Sequence, residues 1–285
     1  MSIPRNIFHL LLLCLLLSCS APQSNSDLIY LRKLKDLAFS GDTESQYQLG
    51  IHYSTKGKWR WDKKRGYGWF LDAARAGHAD AQYMVGMNNY LGLGTQKDFT
   101  KAAAWLERAA NQGHGRSQYQ LGQIYLNGSG VEKDPTWGRY WLEQAAWGGH
   151  PDAQFYLAAL FMKGIGGQKN LAESRNWLKR AEKNGHKSAP KALQNLAPAI
   201  GEDERNAGDR LIQKTGVTDS GGLFRTPKIR YLQTILNNTG YNAGSEDGET
   251  GPRTAAAIQN YQQKNRMPRN TNIDQLIARL RGISQ

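Results

Sequence analysis

A six-residue string returns every 36 positions along the middle of the chain: SQYQLG at 45–50, AQYMVG at 81–86, SQYQLG at 117–122 and AQFYLA at 153–158. Trp69, Trp105, Trp141 and Trp177 keep the same step, as do Gly41, Gly77, Gly113, Gly149 and Gly185, and no insertion breaks the register. Self-similarity at a fixed period of roughly 20–50 residues excludes a single irregular core and demands stacked repeats. Each copy reads as two helices. Helix A covers roughly 43–55 in the first copy, with apolar residues at three- and four-residue spacing. Gly50, Gly86 and Gly122 fall inside it, although a mid-helix glycine costs about 1 kcal/mol relative to alanine. A penalty kept in three copies, with Ala158 in the fourth, implies close helix contact at that point. Gly-x-Gly turns follow at 92–94, 128–130 and 164–166, while the first copy has Lys56-Gly57-Lys58 there. Asp62, Asp98 and Asp134 are then expected as N-caps of helix B, with Pro135 at a first helical position.

This pattern, over 38–186, resembles the Sel-like repeat family, bacterial relatives of the tetratricopeptide repeat. The resemblance implies an all-α solenoid whose helix pairs stack into one continuous core, because a single pair cannot bury its own apolar face. It also implies a protein-binding scaffold without chemistry of its own. Residues 187–200 keep Ala189 but lose the Gln-aromatic pair, as a terminal cap would, so the solenoid with its cap is assigned to 38–200.

Periodicity also assigns the histidines. His78, His114, His150 and His186 recur just after each glycine stop, about 10 Å or more apart along a helix stack. Zinc needs its ligands within a few ångströms of one point, so these read as capping or inter-repeat hydrogen-bonding residues, and no metal or cofactor is expected. Trp61, Trp137 and Trp147 break the register where other copies carry Lys97, Lys101 or Asn111. All three are therefore expected on the surface, as partner-binding candidates or tolerated surface residues. The basic, aromatic segment 56–65 (KGKWRWDKKR) reads as a solvated loop or as a patch resting on anionic headgroups.

The chain has 285 residues, and both cysteines, Cys14 and Cys19, fall within the first twenty. Arg5 precedes the apolar run Ile7–Leu17, only ~16 Å as a helix, which is too short to span a bilayer. This suits a secretory leader. Leu16-Leu17-Ser18-Cys19 resembles the lipobox of bacterial lipoproteins, which implies a signal peptide over 1–18, lipidation of Cys19 and a tether over 19–37 running into the first helix. Ser20, standing where inner-membrane retention typically has Asp, implies lipid anchoring in the outer membrane, facing the periplasm. Export argues against nucleic acid as the partner of a chain with 37 Lys and Arg against 24 Asp and Glu.

Residues 201–225 are polar and Gly-bearing, a linker with a short helix expected at 202–213. Over 226–285, a helix opens at Thr226-Pro227, a second is expected at about 252–265, and Asp274 is expected to cap a third. Leu232-Gln233, Gly240-Tyr241, Asp247-Gly248-x-x-Gly251-x-x-Thr254 and Tyr261-Gln262 resemble the three-helix peptidoglycan-binding module. The sequence departs from that family at Arg266, where the family usually has Gly, and in the turn 269–272. The resemblance implies a wall-binding face, for which Tyr241, Asp247, Gly248, Arg253, Tyr261 and Gln262 are the candidates, although Asp247 suits a loop-holding role equally well. Tyrosine suits apolar sugar faces and Arg253 suits stem-peptide carboxylates. Between solenoid and module there is no room for a catalytic domain and no nucleophile motif, so no enzyme activity is expected. The expected whole is a cell-envelope lipoprotein that holds peptidoglycan and recruits unidentified envelope proteins. The alternatives are an assembly scaffold for a secretion, exopolysaccharide or motility machine, and an accessory activator of a wall hydrolase.

Overall fold

The computed structural model describes residues 25–56, 60–201, 227–268 and 271–282, and all their regular structure is helical. Helix α1 (Asn25–Phe39) precedes four helix pairs: α2 (Thr43–Lys56) with α3 (Arg60–Arg75), α4 (Ala79–Leu91) with α5 (Phe99–Asn111), α6 (Gly115–Asn127) with α7 (Pro135–Trp147), and α8 (Pro151–Lys163) with α9 (Leu171–Lys183). Short α10 (Ala189–Leu196) and a 3₁₀ turn (Ala197–Ala199) close the stack, burying Ala189, Leu196 and Ile200. The C-terminal module is α11 (Pro227–Asn238), α12 (Pro252–Lys264) and α13 (Ile273–Leu280). Cys19 and the leader, the linker with its expected helix at 202–213, Gly57 and Lys58, the side chain of Trp61, and Arg269-Asn270 lie outside the described residues. No helix among the described residues is long and apolar enough to cross a membrane.

The repeated string is a set of inter-helix fasteners. Its glutamine side chain reaches back to a carbonyl near the C-terminal end of the preceding helix: Gln46 to Ala38, Gln82 to Ala74, Gln118 to Ala110 and Gln154 to Ala146, at 3.2, 3.1, 3.1 and 2.9 Å. Helix ends leave such carbonyls without intrahelical partners, so a buried amide there removes a desolvation cost in every copy. The mid-helix glycines are contact points as expected: a Cβ on Gly122 would lie 2.7 Å from Leu142 Cγ and 2.9 Å from the Gly138 carbonyl oxygen.

The histidines do two jobs. His78, His114 and His150 are N-caps whose Nδ1 accepts the backbone N–H of Ala81, Ser117 and Ala153, at 3.3, 3.2 and 3.4 Å. Nδ1 as acceptor leaves the proton on Nε2, which donates to Glu44 in the case of His78 (3.0 Å) and to Asp80 in the case of His114 (3.2 Å), each carboxylate one repeat back. Each ring also lies against the aromatic of the preceding copy's string, as His150 does on Tyr119 (4.9 Å, 14°) and His186 on Phe155 (4.1 Å, 15°). His186 keeps the position without the cap: the next helix starts only at Ala189, and His186 Nδ1 has no partner.

Two expected caps are displaced. Asp62 falls in the first turn of α3, which begins at Arg60, so it is not the N-cap that Asp98 and Asp134 are in their copies. Asp274 likewise falls inside α13, whose N-cap is Asn272 in a reciprocal capping box with Gln275; Asp274 instead pairs with Lys228 at 2.7 Å.

Mild acid is expected to loosen the solenoid. Burial holds the His114 and His150 imidazoles below their ordinary pKa, Asp80 and Asp152 respectively work against that, and Arg116 reinforces it. Their contribution is present above the unfolded value of about 6.5 and is lost as pH falls through the lower folded values, because a protonated Nδ1 cannot accept the cap. Glu107, raised by burial, works in the opposite direction, and the lowered carboxylates Asp42, Glu44 and Asp98 matter only further into acid. The urea midpoint should therefore drop between pH 7.5 and 5.5. His114→Asn with His150→Asn, which keeps an N-cap side chain, should flatten that slope; an unchanged slope would refute the assignment.

Candidate functional site

The module is organised around one buried glutamine. Gln233 Nε2 is 2.8 Å from Asp247 Oδ1, 2.9 Å from the Glu249 carbonyl and 3.1 Å from Thr254 Oγ1, while its Oε1 accepts the Gly248 N–H at 2.8 Å. Thr254 Oγ1 donates to the Ala243 carbonyl at 2.9 Å. Asp247 also accepts from the Glu249 N–H (2.9 Å) and from Ser245 Oγ (2.7 Å), so both of its carboxylate oxygens are engaged within the loop. Burial alone would raise its pKa, but hydrogen bonds from Ser245, Gln233 and Glu249 hold it below the usual aspartate value. Asp247, Gly248 and Thr254 thus fasten the loop 243–254 to α11, with Leu232, Leu236, Ala257, Leu276 and Ile277 as the core behind it.

The other candidates sit differently. Tyr241 is half-buried and meets Tyr261 edge-on at 5.4 Å, with Lys264 Nζ 5.7 Å from its ring centre. Arg253 is exposed, with its stem running beside Gly244. Gln262 is buried. The structure therefore joins Tyr241 with Tyr261, places Arg253 at the surface, and puts Asp247 and Gly248 in the scaffold of the loop. Arg266 has φ +53°, the left-handed conformation that explains why glycine is usual there.

The module does not stand apart from the solenoid: α11 docks on α7. Tyr231 packs on Trp137 (4.7 Å) and Tyr140 (5.7 Å), which are themselves stacked at 4.4 Å and 7°. The Arg281 guanidinium covers the Trp137 ring at 4.2 Å. Beneath these lies an ion cluster: Glu143 Oε1 takes Arg139 Nε at 3.1 Å and Arg230 Nη1 at 3.4 Å, and Arg230 Nη2 reaches Glu173 at 3.4 Å. Both guanidiniums lie over Phe161, and Glu246 of the module accepts the Gln168 N–H at 3.1 Å.

Trp137 is therefore corrected: it is 7% exposed, covered by the chain's own module rather than presented to solvent. Its register partners Arg65, Lys101 and Glu173 marked it as unusual, and the physical reason is that α11 supplies the apolar partner those copies lack. Trp147 remains 43% exposed, edge-on to Trp177 at 4.9 Å and beneath Arg180 at 4.6 Å. Arg139, Glu143, Arg230 and Arg281 escaped the sequence reading, because surface charges on a helix look alike whether or not a second body covers them.

The Sel1 repeat model matches residues 43–78, 79–114, 115–150 and 151–186, and the peptidoglycan binding domain model matches residues 225–277. No curated protein matches the chain. Among solved structures it is similar to a Sel1 repeat protein from Oxalobacter formigenes, with 30% identity and a TM-score of 0.54 over 58% of this chain and 48% of that one. A protective antigen present in uropathogenic Escherichia coli strains, displaying an SLR fold, shares the fold at 24% identity and a TM-score of 0.57, over 82% of this chain and 49% of that one. The chain thus spans about half the length of these solved structures. Sel1 repeats and peptidoglycan-binding domains are typically non-catalytic. With four contiguous copies filling 43–186, half of its length, the chain belongs to the Sel1 repeat family and carries a peptidoglycan-binding domain at its C-terminal end.

Proposed function

We propose that the protein is a non-enzymatic cell-envelope lipoprotein, anchored through Cys19 in the outer membrane, that grips peptidoglycan with its C-terminal module and positions a protein partner on its repeats. One observation carries the wall-binding part. Docking uses Arg230, Tyr231, Glu246 and Arg281, while Tyr241, Arg253 and Tyr261 take no part in those contacts. Tyr241, with Lys264 beside it and the buried Tyr261 backing it, offers a ring face to sugars, and Arg253 offers a fork to stem-peptide carboxylates. Among the described residues of the solenoid, Trp147 is the exposed indole available to a protein partner.

Because module and solenoid share one core cluster, the whole protein is the right object to test. It is expected to pellet with purified sacculi. Tyr241→Ala with Arg253→Ala should weaken retention roughly tenfold, about 1.4 kcal/mol, with the helical circular dichroism intact. Failure of the unmutated protein to pellet would favour an assembly scaffold whose module binds protein. In the same fractionation, Cys19→Ser should leave the membrane pellet; if it stays, the anchor is not at Cys19.

A further inference from the structure

The first helix of a solenoid is expected to turn a polar face to solvent. Here the N-terminal turns of α1 expose Leu28, Ile29 (70%) and Tyr30 (62%). α1 runs antiparallel to α2: Gln46 binds the Ala38 carbonyl at one end, and Leu31 and Tyr53 pack on the cluster of Leu34, Ala38 and Leu49 toward the other. The start of α1 therefore lies beside the end of α2, which in turn meets the start of α3 where Gly66 abuts Ser54. There α3 exposes Lys63, Lys64 and Arg65. The turn after α4 reaches the same edge. A Cβ on Gly94 would overlap the Lys63 carbonyl, and Leu91 (53%) and Leu93 stand exposed on either side of Gly92. In the fourth repeat the corresponding turn is covered at the seam between solenoid and module, where the Gln168 N–H goes to Glu246. In the first two repeats, nothing among the described residues covers these side chains. A contiguous apolar surface left open in this way marks an interaction site.

We propose that this edge rests on the lipid surface that holds Cys19, with its apolar side chains among the headgroups and Lys63, Lys64 and Arg65 on lipid phosphates. The proposal takes its anchor from the lipoprotein reading. Reach is the first argument: the stretch from Cys19 to Asn25, where α1 begins, spans at most about 20 Å, so an acyl chain on Cys19 keeps the edge near the headgroups. Chemistry is the second: exposed apolar residues beside cations suit an interface where anionic lipids attract Lys and Arg. Arg32 and Lys33 add charge one turn along α1. Against these the helix starts bring Asp27, Asp62 and Asp98, and Asp98 is already paired with Lys101 at 3.1 Å. A second copy is the poorer occupant, because a two-fold contact through this edge sets Lys63, Lys64 and Arg65 against their own copies. The edge orients an anchored protein and does not replace the anchor, so Cys19→Ser still leaves the membrane pellet.

The test uses the chain from Cys19 onward, which contains every described residue and has Cys19 as its one cysteine. That thiol is coupled to a maleimide lipid in vesicles of three parts phosphatidylethanolamine to one part phosphatidylglycerol. Coupling holds the protein at the surface whether or not cells lipidate it, so this result and the Cys19→Ser fractionation can fail separately. Relative to thiol-blocked protein free in solution, hydroxyl-radical oxidation of Tyr30, Leu91 and Leu93 should fall at least threefold, while Trp147 and Tyr156 keep theirs. Lys63→Gln, Lys64→Gln and Arg65→Gln together, all exposed changes, should restore at least half of the lost oxidation. Unchanged oxidation on coupling, equal protection of Trp147, or protection indifferent to the triple variant would overturn the proposal. Protection of Tyr30 without lipid, rising with protein concentration, would overturn it too and make a second copy the occupant.

Discussion

Replacing Glu143 with leucine is expected to release the module from the solenoid while leaving both folded. The Glu143 side chain is 3% exposed and lies between two guanidiniums, 3.1 Å from Arg139 and 3.4 Å from Arg230. Without it, two like charges face each other in a buried site, Arg230 keeping Glu173 and the Asp247 carbonyl. Removing one member of a buried ionic cluster typically costs about 3–5 kcal/mol, because the charges left behind stay desolvated. That is enough to open an interface whose remaining grip is the Tyr231–Trp137–Tyr140 stack, Arg281, the Arg230–Glu173 pair and the Gln168–Glu246 hydrogen bond. Small-angle scattering should show a larger radius of gyration, and amides of α11 should exchange faster, at unchanged helical content. Arg139→Met, Glu143→Leu and Arg230→Met together should restore docking, since apolar residues of similar volume often replace a buried ionic cluster without loss. A single variant as compact as the parent would show that the aromatic stack and the remaining polar contacts hold the seam without Glu143.

The second large effect concerns Gly130. Its φ is +76°, and a Cβ there would overlap the Phe99 backbone and lie 2.7 Å from the Thr100 nitrogen. Left-handed backbone costs an L-residue about 1–2 kcal/mol, and a clash with main chain, which no rotamer relieves, adds roughly 1–3 kcal/mol. Gly130→Val should therefore destabilise the solenoid by about 2–5 kcal/mol. Gly113 provides the contrast: φ is +83° but nothing lies within 4 Å, so Gly113→Ala should cost only the backbone strain, about 1 kcal/mol. Because each repeat touches only its neighbours, the loss at the Gly130 junction should split unfolding into two transitions. Equal effects at the two glycines would show that conformation, not contact, is what Gly130 supplies.

Much of this was legible in the repeat. The 36-residue register located the helix pairs, the mid-helix contacts at Gly50, Gly86 and Gly122, and the structural role of the histidines. The Gly-x-Gly turns were legible as turns, but not as the inter-repeat contact that Gly130 makes with Phe99. In the module the Asp-Gly-x-x-Gly-x-x-Thr block was legible as a loop, and Arg266 as a departure, whereas its left-handed φ came only from the fold. Asp62 and Asp274 were misplaced as caps because a helix start is decided by which flanking residue can leave the helical conformation, and local pattern places that to within a residue or two.

The amino-acid order by itself determined the solenoid, since periodic apolar contacts, glycine stops and caps act between residues near in sequence and repeat with it. Only the tertiary structure decided that Trp137 faces the chain's own module and that Glu143 is buried between two arginines. Those depend on which two solvent-compatible helix faces meet across a long stretch of chain, and no short-range pattern encodes that choice.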